Sequence, residues 1–279
     1  MILIADSGST KTDWRLIDNN KIIELSSIGI NPYFINEKIV DVALRSIFDE
    51  EMLSNISEVF FYGAGCSTKE ACELLKNIFQ KYFVNAVINI EHDLLAAARA
   101  TCFNREGIVA ILGTGSNTCY YNGENIDQNV ESLGYILGDE GSGSFMGKLL
   151  LRKIYREEVD HDIIDDFNKT FKLNKDTLFN RLYKEPLPNK FLASFTPFIS
   201  KHIHHPEMQW IVYKSFEELC LNCLSKYKKV KELPVHFVGS IAQVFIKQLN
   251  EILIKHHYTL GDVIKQPINN LVKYHTGQF

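Results

Sequence analysis

Two segments of the chain share one pattern, in which an apolar run ends in a loop of glycine and hydroxyl residues. Residues 2–10 read ILIADSGST, and residues 109–116 read VAILGTGS. In both places another strand-like run follows the loop directly, whereas a helix follows the glycine loop in dinucleotide-binding folds. A strand–loop–strand device that occurs twice, about a hundred residues apart, predicts a chain built from two related halves.

The length of the chain agrees with two halves. Its 279 residues are about 1.9 times the size of a typical domain. With 46% hydrophobic and 11% aromatic residues, the composition is that of a folded protein with a sizeable core. We predict an N-terminal domain at residues 1–106 together with a C-terminal helix at 264–279, and a C-terminal domain at 107–263.

Local patterns predict an α/β fold. In the first third, apolar runs and helical spacing alternate in the order β-β-β-α-β-α-β-α, which is typical of a mixed sheet covered by helices. One long helix is predicted from Asn36 to Leu53, and residues 141–229 are predicted to be mainly helical. Val235–Val238 is the last predicted strand. The amphipathic tail from Ile264 to Tyr274 is predicted to form a final helix that packs on the first half.

Charge and hydropathy exclude several classes of protein. The net charge is -4 and no basic stripe is present, which argues against a nucleic-acid partner. The apolar runs are shorter than the ~18 residues of a membrane span, so we expect no membrane insertion. The N-terminus has no basic region ahead of its apolar run, which argues against a secretory signal. Six scattered cysteines are typical of reduced thiols, and we therefore expect a cytoplasmic protein.

The first loop, DSGSTKT at residues 6–12, has the chemistry of a phosphate-binding loop. Gly8 lets backbone N–H groups approach a phosphate, and Lys11 adds a positive charge. Thr10 and Thr12 add hydroxyl donors. Asp6 is placed to orient Mg²⁺ through water. The spacing of a Walker P-loop is absent. The alternative is an ordinary hairpin turn whose hydroxyls satisfy the backbone.

The second loop, LGTGSNT at residues 112–118, is a second candidate phosphate clamp. Gly113 and Thr114 lie at its tip, and its alternative is again a tight hairpin. Two such loops that face each other across a cleft would hold the phosphates of one nucleotide from both sides. The pair therefore favours nucleotide binding more strongly than either loop alone.

Asp93 follows a predicted strand and opens a predicted helix. One interpretation is a helix N-cap, because an Asp there accepts hydrogen bonds from the free N–H groups of the first turn. A cap of this kind would lower the pKa of the carboxyl. The other is a catalytic base at the carboxyl end of a strand, where α/β sheets place ligands. One residue can have both roles.

Two further segments can bind a ligand. Residues 134–144, GYILGDEGSGS, are the densest glycine stretch, and Asp139 or Glu140 could accept hydrogen bonds from several hydroxyls. Its alternative is a loop that ends in a Ser/Gly helix cap. In FVGS at 237–240, a glycine between a strand and a helix is a place for adenine or ribose. Cys220 and Cys223 form a single CxxC without zinc-ligand partners, so core thiols are favoured there.

In this order, the motifs resemble those of the N-acetylglucosamine kinase and BadF/BcrA ATPase family, within the actin, Hsp70 and sugar-kinase superfamily. The resemblance covers most of the chain and rests on DSGSTKTDW at 6–14, EHDLLAAARA at 91–100, ILGTGSNT at 111–118, LGYILGDEGSGSFMGK at 133–148 and FVGSIA at 237–242. It implies two ribonuclease-H-like, actin-like ATPase domains facing a central cleft. One departure is Leu133, where family kinases that prefer amino sugars carry a Trp beside the acetamido pocket.

The resemblance implies a kinase that phosphorylates the 6-hydroxyl of an amino sugar, with Asp93 as the catalytic base. It implies in-line transfer from Mg-ATP as the two halves close. The nucleotide and its Mg²⁺ would be held by Asp6, Gly8, Thr10, Lys11, Thr12, Gly113, Thr114, Gly239 and Ser240. The sugar would be held by Asn31, Ser116, Asn117, Gly134 and Asp139. A homodimer is compatible with the sequence.

Two alternatives stay open. The same family contains ATPase activators of radical dehydratases, in which cysteines at a dimer interface ligate an iron–sulfur cluster; Cys220 and Cys223 are the pair to consider. A sugar-responsive binding protein of the ROK type would need a DNA-binding extension ahead of the first strand. A degenerate, non-catalytic member of the family is a third possibility, and the presence of Asp93 and of both loops argues against it.

Overall fold

The computed structural model describes residues 1–8, 11–19, 21–32 and 37–278, and their contacts divide the chain into two compact units. Unit 1 comprises Met1–Arg105, Gly123–Asn125 and Gln266–Phe279. Unit 2 comprises Glu106–Asn122 and Ile126–Lys265.

Strands alternate with helices in both units. In chain order the strands are β1 (Ile2–Ser7), β2 (Lys11–Asp18), β3 (Lys21–Ile28), β4 (Glu58–Gly63), β5 (Val87–His92), β6 (Glu106–Leu112), β7 (Ser116–Asn122), β8 (Ile126–Val130), β9 (Pro234–Val238) and β10 (Thr259–Ile264). The helices are α1 (Glu37–Arg45), α2 (Glu50–Asn55), α3 (Lys69–Phe79), α4 (Asp93–Cys102), α5 (Gly134–Leu137), α6 (Gly143–Tyr155), α7 (His161–Phe171), α8 (Lys175–Tyr183), α9 (Pro188–Ala193), α10 (Thr196–Lys201), α11 (Pro206–Asn222), α12 (Ser240–Val244), α13 (Ile246–Lys255) and α14 (Ile268–Thr276).

The two units share one sheet topology. Unit 1 has the strand order β3-β2-β1-β4-β5, and unit 2 has β8-β7-β6-β9-β10. In each, the first strand pairs antiparallel with the second and parallel with the fourth. The prediction of α/β architecture with mixed sheets is confirmed, and the shared topology agrees with the inference of two related halves.

Apolar runs place the strands inside their units. In β1 the residues Leu3, Ile4 and Ala5 are fully buried, so a run that is apolar on both faces forms a central strand. The core of unit 1 is closed by aromatic rings, with Trp14 packed against Phe48 at a centroid distance of 5.8 Å. In unit 2 the core lies between its sheet and the helices of residues 143–255.

Three predicted elements differ in the structure, and one further strand was not predicted. The helix predicted from Asn36 to Leu53 is two helices, because Asp49 caps a new start by accepting a hydrogen bond from the Met52 N–H at 2.8 Å. The prediction of Val235–Val238 as the last strand is wrong, because β10 pairs parallel with it. Strand β8, IDQNV, was not predicted because only its two ends are apolar.

The tail also begins with a strand residue. Ile264 ends β10, and the C-terminal helix α14 starts at Ile268. This helix packs on α4 within unit 1, where Asn270 donates a hydrogen bond to the Ala100 carbonyl at 2.8 Å. No helix among the described residues is long and apolar enough to span a membrane.

Candidate active site

The carboxyl ends of three parallel strands meet at one edge of the sheet in unit 1. The register pairs Ser7 of β1 with Gly63 of β4, and Gly63 with His92 of β5. Asp6 therefore lies near the end of β1 at the edge where Asp93 follows β5. Parallel sheets commonly bind ligands at this edge.

Asp93 is the first residue of α4 and is not its N-cap. The cap is His92, whose Nδ1 accepts a hydrogen bond from the Leu94 N–H at 3.1 Å, so the cap interpretation of Asp93 is wrong. The same Nδ1 lies 3.1 Å from Oδ1 of Asp93. Because His92 satisfies the helix start, the Asp93 carboxylate can take another role.

The environment of Asp93 suits a base that meets a ligand. Its side chain keeps 29% of its surface accessible. Burial by surrounding protein raises the pKa of Asp93, and its neighbour His92 opposes that shift. The expectation of a lowered pKa is therefore wrong, because desolvation outweighs the N–H groups of the helix start.

Asp6 sits among other carboxylates. It lies directly opposite Asp13 across the β1–β2 pair. Burial, together with repulsion from Asp93 and Asp13, raises the pKa of Asp6 to about 7. Lys11 neutralises part of this charge through an ion pair between its Nζ and Oδ1 of Asp13 at 2.6 Å. A partly buried carboxylate repelled by its neighbours can attract a divalent cation, but among the described residues no group of three or more His, Cys, Asp or Glu side chains is placed to hold a metal ion.

The first loop has one exposed and one buried face. The Gly8 N–H donates to the Lys11 carbonyl at 3.0 Å, and the Lys11 side chain is exposed. Thr12 is fully buried, and its hydroxyl lies 2.7 Å from Ser7 Oγ and 3.1 Å from the Ile28 carbonyl oxygen, so its single proton has a partner on either side. This use of the hydroxyl inside the hairpin argues against the predicted contact between the Thr12 hydroxyl and a phosphate. Thr10 lies outside the described residues.

Asn31 is held near the end of β1 by its neighbour. The Ile30 N–H donates to Ser7 Oγ at 3.0 Å, and Ser7 Oγ donates to the Ile30 carbonyl at 3.0 Å. This reciprocal pair fixes the backbone that carries Asn31 beside the strand that carries Asp6. Within unit 1, the structure thus brings Asp6, Lys11 and Asp93 to one edge with Asn31 adjacent.

In unit 2 the corresponding sheet edge carries two glycines with different constraints. Gly239 follows β9 with a φ of 128°, and its N–H donates to the Ile264 carbonyl at 2.9 Å. A Cβ there would lie 2.1 Å from the Leu112 carbonyl oxygen, so no larger residue fits. Gly113 has no atom within 4 Å of its Cβ position, which leaves room for a ligand. Ser240, the next predicted site residue, opens α12 and is exposed.

The second loop is fastened to the start of α6. The Gly143 N–H donates to the Gly113 carbonyl at 2.9 Å, and the Ser144 N–H donates to the Thr114 carbonyl at 3.0 Å. Ser142 caps α6 by accepting from the Phe145 N–H at 3.2 Å. The glycine-rich segment and the second phosphate loop therefore form one connected unit of backbone.

Asp139 is the centre of this connection. Its carboxylate accepts hydrogen bonds from the Ser116 N–H at 3.2 Å and from the hydroxyls of Ser132 and Ser144, each at 3.4 Å. Its backbone is left-handed, with a φ of 58°. Burial raises the pKa of Asp139, while the N–H of Ser116 and the charge of Lys148 oppose that shift.

The other residues of unit 2 predicted to bind the sugar are Ser116, Asn117 and Gly134. Ser116 joins Asp139 through its backbone. The amide oxygen of Asn117 accepts from the Thr118 N–H and from Asn129 Nδ2, both at 2.9 Å, so that oxygen serves the sheet. Gly134 has a φ of 69° and an open Cβ position.

Sequence reasoning gave no role to several residues that build these sites. His92 caps α4, and Ser132 and Ser144 hold Asp139. Gly115 leaves the space that the Asp139 carboxylate fills, since a Cβ there would be 2.9 Å from Oδ2. His92, Gly115 and Ser144 lie inside motifs that the sequence analysis singled out, and this position is the signal that could have identified them as site residues. Nothing in the local pattern pointed to Ser132.

Comparisons with known proteins agree with this arrangement. The chain is 37% identical to a proposed N-acetylglucosamine kinase of Porphyromonas gingivalis, and the structures match with a TM-score of 0.93 over 99% of each chain. An N-acetylmuramic acid/N-acetylglucosamine kinase of Clostridium acetobutylicum is 26% identical over 207 residues, which are 68% of this chain and 67% of that protein. No protein-family model matches the chain.

A more distant likeness concerns the fold alone. A ROK family glucokinase of Streptomyces griseus, solved with glucose and AMPPNP, has a TM-score of 0.57 at 13% identity and covers 98% of this chain and 97% of that one. Together with the sheet order, these matches confirm the predicted pair of actin-like ATPase domains.

Proposed function

The chain belongs to the N-acetylglucosamine kinase family, and from this premise we infer that it is an ATP-dependent kinase that phosphorylates an amino sugar. We propose N-acetylglucosamine as the substrate and its 6-hydroxyl as the acceptor. The observation that carries the proposal is an accessible carboxylate with a raised pKa, Asp93, at the same strand edge as Asp6.

Asp93 has the role of catalytic base. The sugar oxygen attacks the γ-phosphorus, the bond between that phosphorus and the ADP oxygen breaks, and the hydroxyl proton passes to the Asp93 carboxylate. In phosphoryl transfer through a loose transition state the proton leaves late, so the base chiefly orients the hydroxyl. A raised pKa makes Asp93 a better acceptor than an ordinary carboxylate.

Asp6 is the residue that would hold Mg²⁺, through water. The fit rests on the position of Asp6 opposite Asp13 in the β1–β2 pair, where a cation would relieve the repulsion from Asp13 and Asp93. A bound Mg²⁺ would neutralise charge on the ATP phosphates. Lys11, exposed beside Asp13, supplies a further positive charge from unit 1.

The remaining predicted residues divide by ligand. For the nucleotide, Gly8, Thr10, Gly113 and Thr114 are proposed at the phosphates, and Gly239 and Ser240 at the adenosine. For the sugar hydroxyls we propose Asn31, Ser116, Asn117, Gly134 and Asp139. The open Cβ position at Gly113 and the carbonyl against Gly239 support close approach by backbone rather than by side chains.

The burial of Cys220 argues against the alternative of a dehydratase activator. Cys220 is fully buried in the core of unit 2, within α11. A cluster shared between two chains needs ligands at a surface, and a buried core thiol does not supply one. A sugar-responsive binding protein would bind sugar without turnover. Cytoplasmic location and a homodimer remain predictions.

The proposal is tested by ADP release with Mg-ATP and a panel of sugars. The panel contains N-acetylglucosamine, N-acetylmuramic acid, glucosamine, N-acetylmannosamine and glucose. We expect N-acetylglucosamine to give the highest kcat/KM and N-acetylglucosamine 6-phosphate to be its product. An equal, background rate for every sugar would reject the kinase.

The role of Asp93 is tested by Asp93→Asn. We expect turnover to fall about 10²- to 10⁴-fold while ATP binding persists. Asp162→Asn, at an exposed position in the first turn of α7, is the matched control and keeps wild-type turnover. Near-normal turnover in Asp93→Asn would remove Asp93 from the mechanism.

A further inference from the structure

Lys148 is a half-buried lysine in the second turn of α6, between the buried residues Gly147 and Leu149. Its Nζ donates a hydrogen bond to the main-chain carbonyl of Tyr135 in α5. Within the described part of the chain its ammonium forms no ion pair, and it lies 5.0 Å from the centroid of the Phe145 ring. A lysine that is partly desolvated to hold a carbonyl is therefore a candidate for a specific positioning role.

Helix α5, whose Tyr135 carbonyl accepts the bond from Lys148, is weakly stabilised by its own contacts. Helix α5 is a single turn, closed by the Gly138 N–H donating to the Gly134 carbonyl at 2.8 Å. One turn of helix does not stabilise itself in water. Ile136 and Leu137 are 71% and 75% exposed, so burial of their side chains adds little. The Tyr135 side chain packs on the core, and the bond from Lys148 fixes the backbone beside it.

The same ammonium acts on the sugar-side carboxylate. Burial raises the pKa of Asp139 and lowers the pKa of Lys148, and the attraction between the two opposite charges opposes both shifts. An ionised Asp139 accepts hydrogen bonds with all its lone pairs, whereas a protonated one must donate. Lys148 thus touches one end of the segment 133–139 by a hydrogen bond and influences the other by charge.

We propose that Lys148 is a positioning residue for sugar binding, which holds the segment 133–139 in place and keeps Asp139 an acceptor for sugar hydroxyls. The proposal rests on the proposed amino-sugar kinase function. It assigns no contact between Lys148 and the nucleotide, so its loss should affect the two substrates unequally.

The test compares Lys148→Met, Lys148→Gln and Lys148→Arg by steady-state kinetics. For Met and Gln we expect the KM for N-acetylglucosamine to rise about 10- to 100-fold, the loss typical of a hydrogen bond to a charged group, with the KM for ATP within about two-fold. Arg keeps the charge and a donor and should recover most of the affinity. Lys153→Met, one turn and a half further along α6 in an ion pair with Glu207, is the matched control and keeps both KM values.

Two results would overturn the role of Lys148. One is a sugar KM in Lys148→Met and Lys148→Gln that stays within about two-fold of wild type. The other is a parallel rise of both KM values, which indicates a general structural defect. If Lys148→Met does not fold, the Gln and Arg variants carry the comparison. Failure of the kinase function itself is seen separately, as wild-type protein that phosphorylates none of the amino sugars.

Discussion

A Cβ atom on Gly115 would lie 2.9 Å from Oδ2 and 3.0 Å from Oδ1 of Asp139, closer than packed atoms tolerate. The glycine is thus required by the position of a carboxylate 24 residues later in the chain. Its backbone is not left-handed, so the constraint at Gly115 is space and not conformation. This pair links the second phosphate loop to the proposed sugar residue.

Gly115→Ala is therefore expected to displace Asp139 from the hydrogen bonds with Ser116, Ser132 and Ser144. We expect the free energy of unfolding to fall by about 1–3 kcal/mol, as for an overpacked site, and the KM for the sugar to rise. Urea unfolding and steady-state kinetics measure the two effects. Gly113→Ala has an empty Cβ position and should leave the free energy of unfolding unchanged; equal loss in both variants would contradict the steric explanation.

Gly239→Ala combines a steric clash with backbone strain. The new Cβ would lie 2.1 Å from the Leu112 carbonyl oxygen, and a φ of 128° is unfavourable for alanine. We expect destabilisation by more than the roughly 1–3 kcal/mol of backbone strain alone, measured by thermal or urea unfolding. Gly277→Ala, with a φ of 69° in the left-handed region and no atom within 4 Å, gives a milder backbone strain without the clash. A loss no larger than that of Gly277→Ala would show that the backbone adjusts.

Thr12→Val and Lys11→Met separate the two faces of the first loop. Thr12→Val removes a buried hydroxyl that bonds Ser7 and Ile28, and should lower the free energy of unfolding by about 1–3 kcal/mol. Its KM for ATP should stay near wild type. Lys11→Met should weaken ATP binding and, because the side chain is 57% exposed, change stability little. A raised KM for ATP in Thr12→Val, with no change in the free energy of unfolding, would identify Thr12 as a phosphate ligand.

Asp6→Asn is expected to stabilise the protein at high pH in the absence of Mg²⁺. The pKa of Asp6 is about 7 in the folded chain against an ordinary 3.8, so the folded state binds the extra proton between those values. The contribution of this carboxyl to the free energy of unfolding therefore falls as the pH rises from about 4 to 7 and stays lost above. Asn carries no charge and avoids this loss, up to about 4 kcal/mol.

Urea unfolding at pH 4 and pH 8 measures this difference. The two proteins should be alike near pH 4 and differ at pH 8. Added Mg²⁺ should stabilise the wild type more than the variant. Asp18→Asn, at the exposed end of β2, removes a solvent-exposed carboxylate and is the control for the loss of one negative charge. An Asp6→Asn variant that is less stable than wild type at pH 8 would show that the charge of Asp6 is already compensated.

Much of the fold could be predicted because its signals are local. The apolar run of β1 and the glycine loop after it identify a buried strand and a turn within ten residues of sequence. The same device at β6 identifies the second unit. Helical spacing predicts one helix from Lys69 to Tyr82 and another from Asp93 to Cys102, and the structure has α3 at Lys69–Phe79 and α4 at Asp93–Cys102. Strand β10 was missed because Gly261 and Asp262 weaken its pattern; the glycine is needed because a Cβ would meet His236 Nδ1 at 2.7 Å.

The candidate site was predictable in its residue types but not in their environments. Asp93 was identified by its place after a strand, yet only the structure shows that His92 takes the cap. Thr12 matched a phosphate loop by pattern, but the pairing of β2 with β1 and β3 turns its hydroxyl inward. Alternation along a strand permits either face to be buried, and contacts with the neighbouring strands decide which.

The sequence by itself determined the succession of strands and helices, the two loops and the identity of the carboxylates, because these depend on neighbours a few residues apart. Tertiary structure decided the state of those carboxylates. The pKa of Asp6 depends on Asp93, far along the chain, and Asp139 is held by Ser116, 23 residues before it. Desolvation and charge act through space, so they are fixed only when the chain has folded.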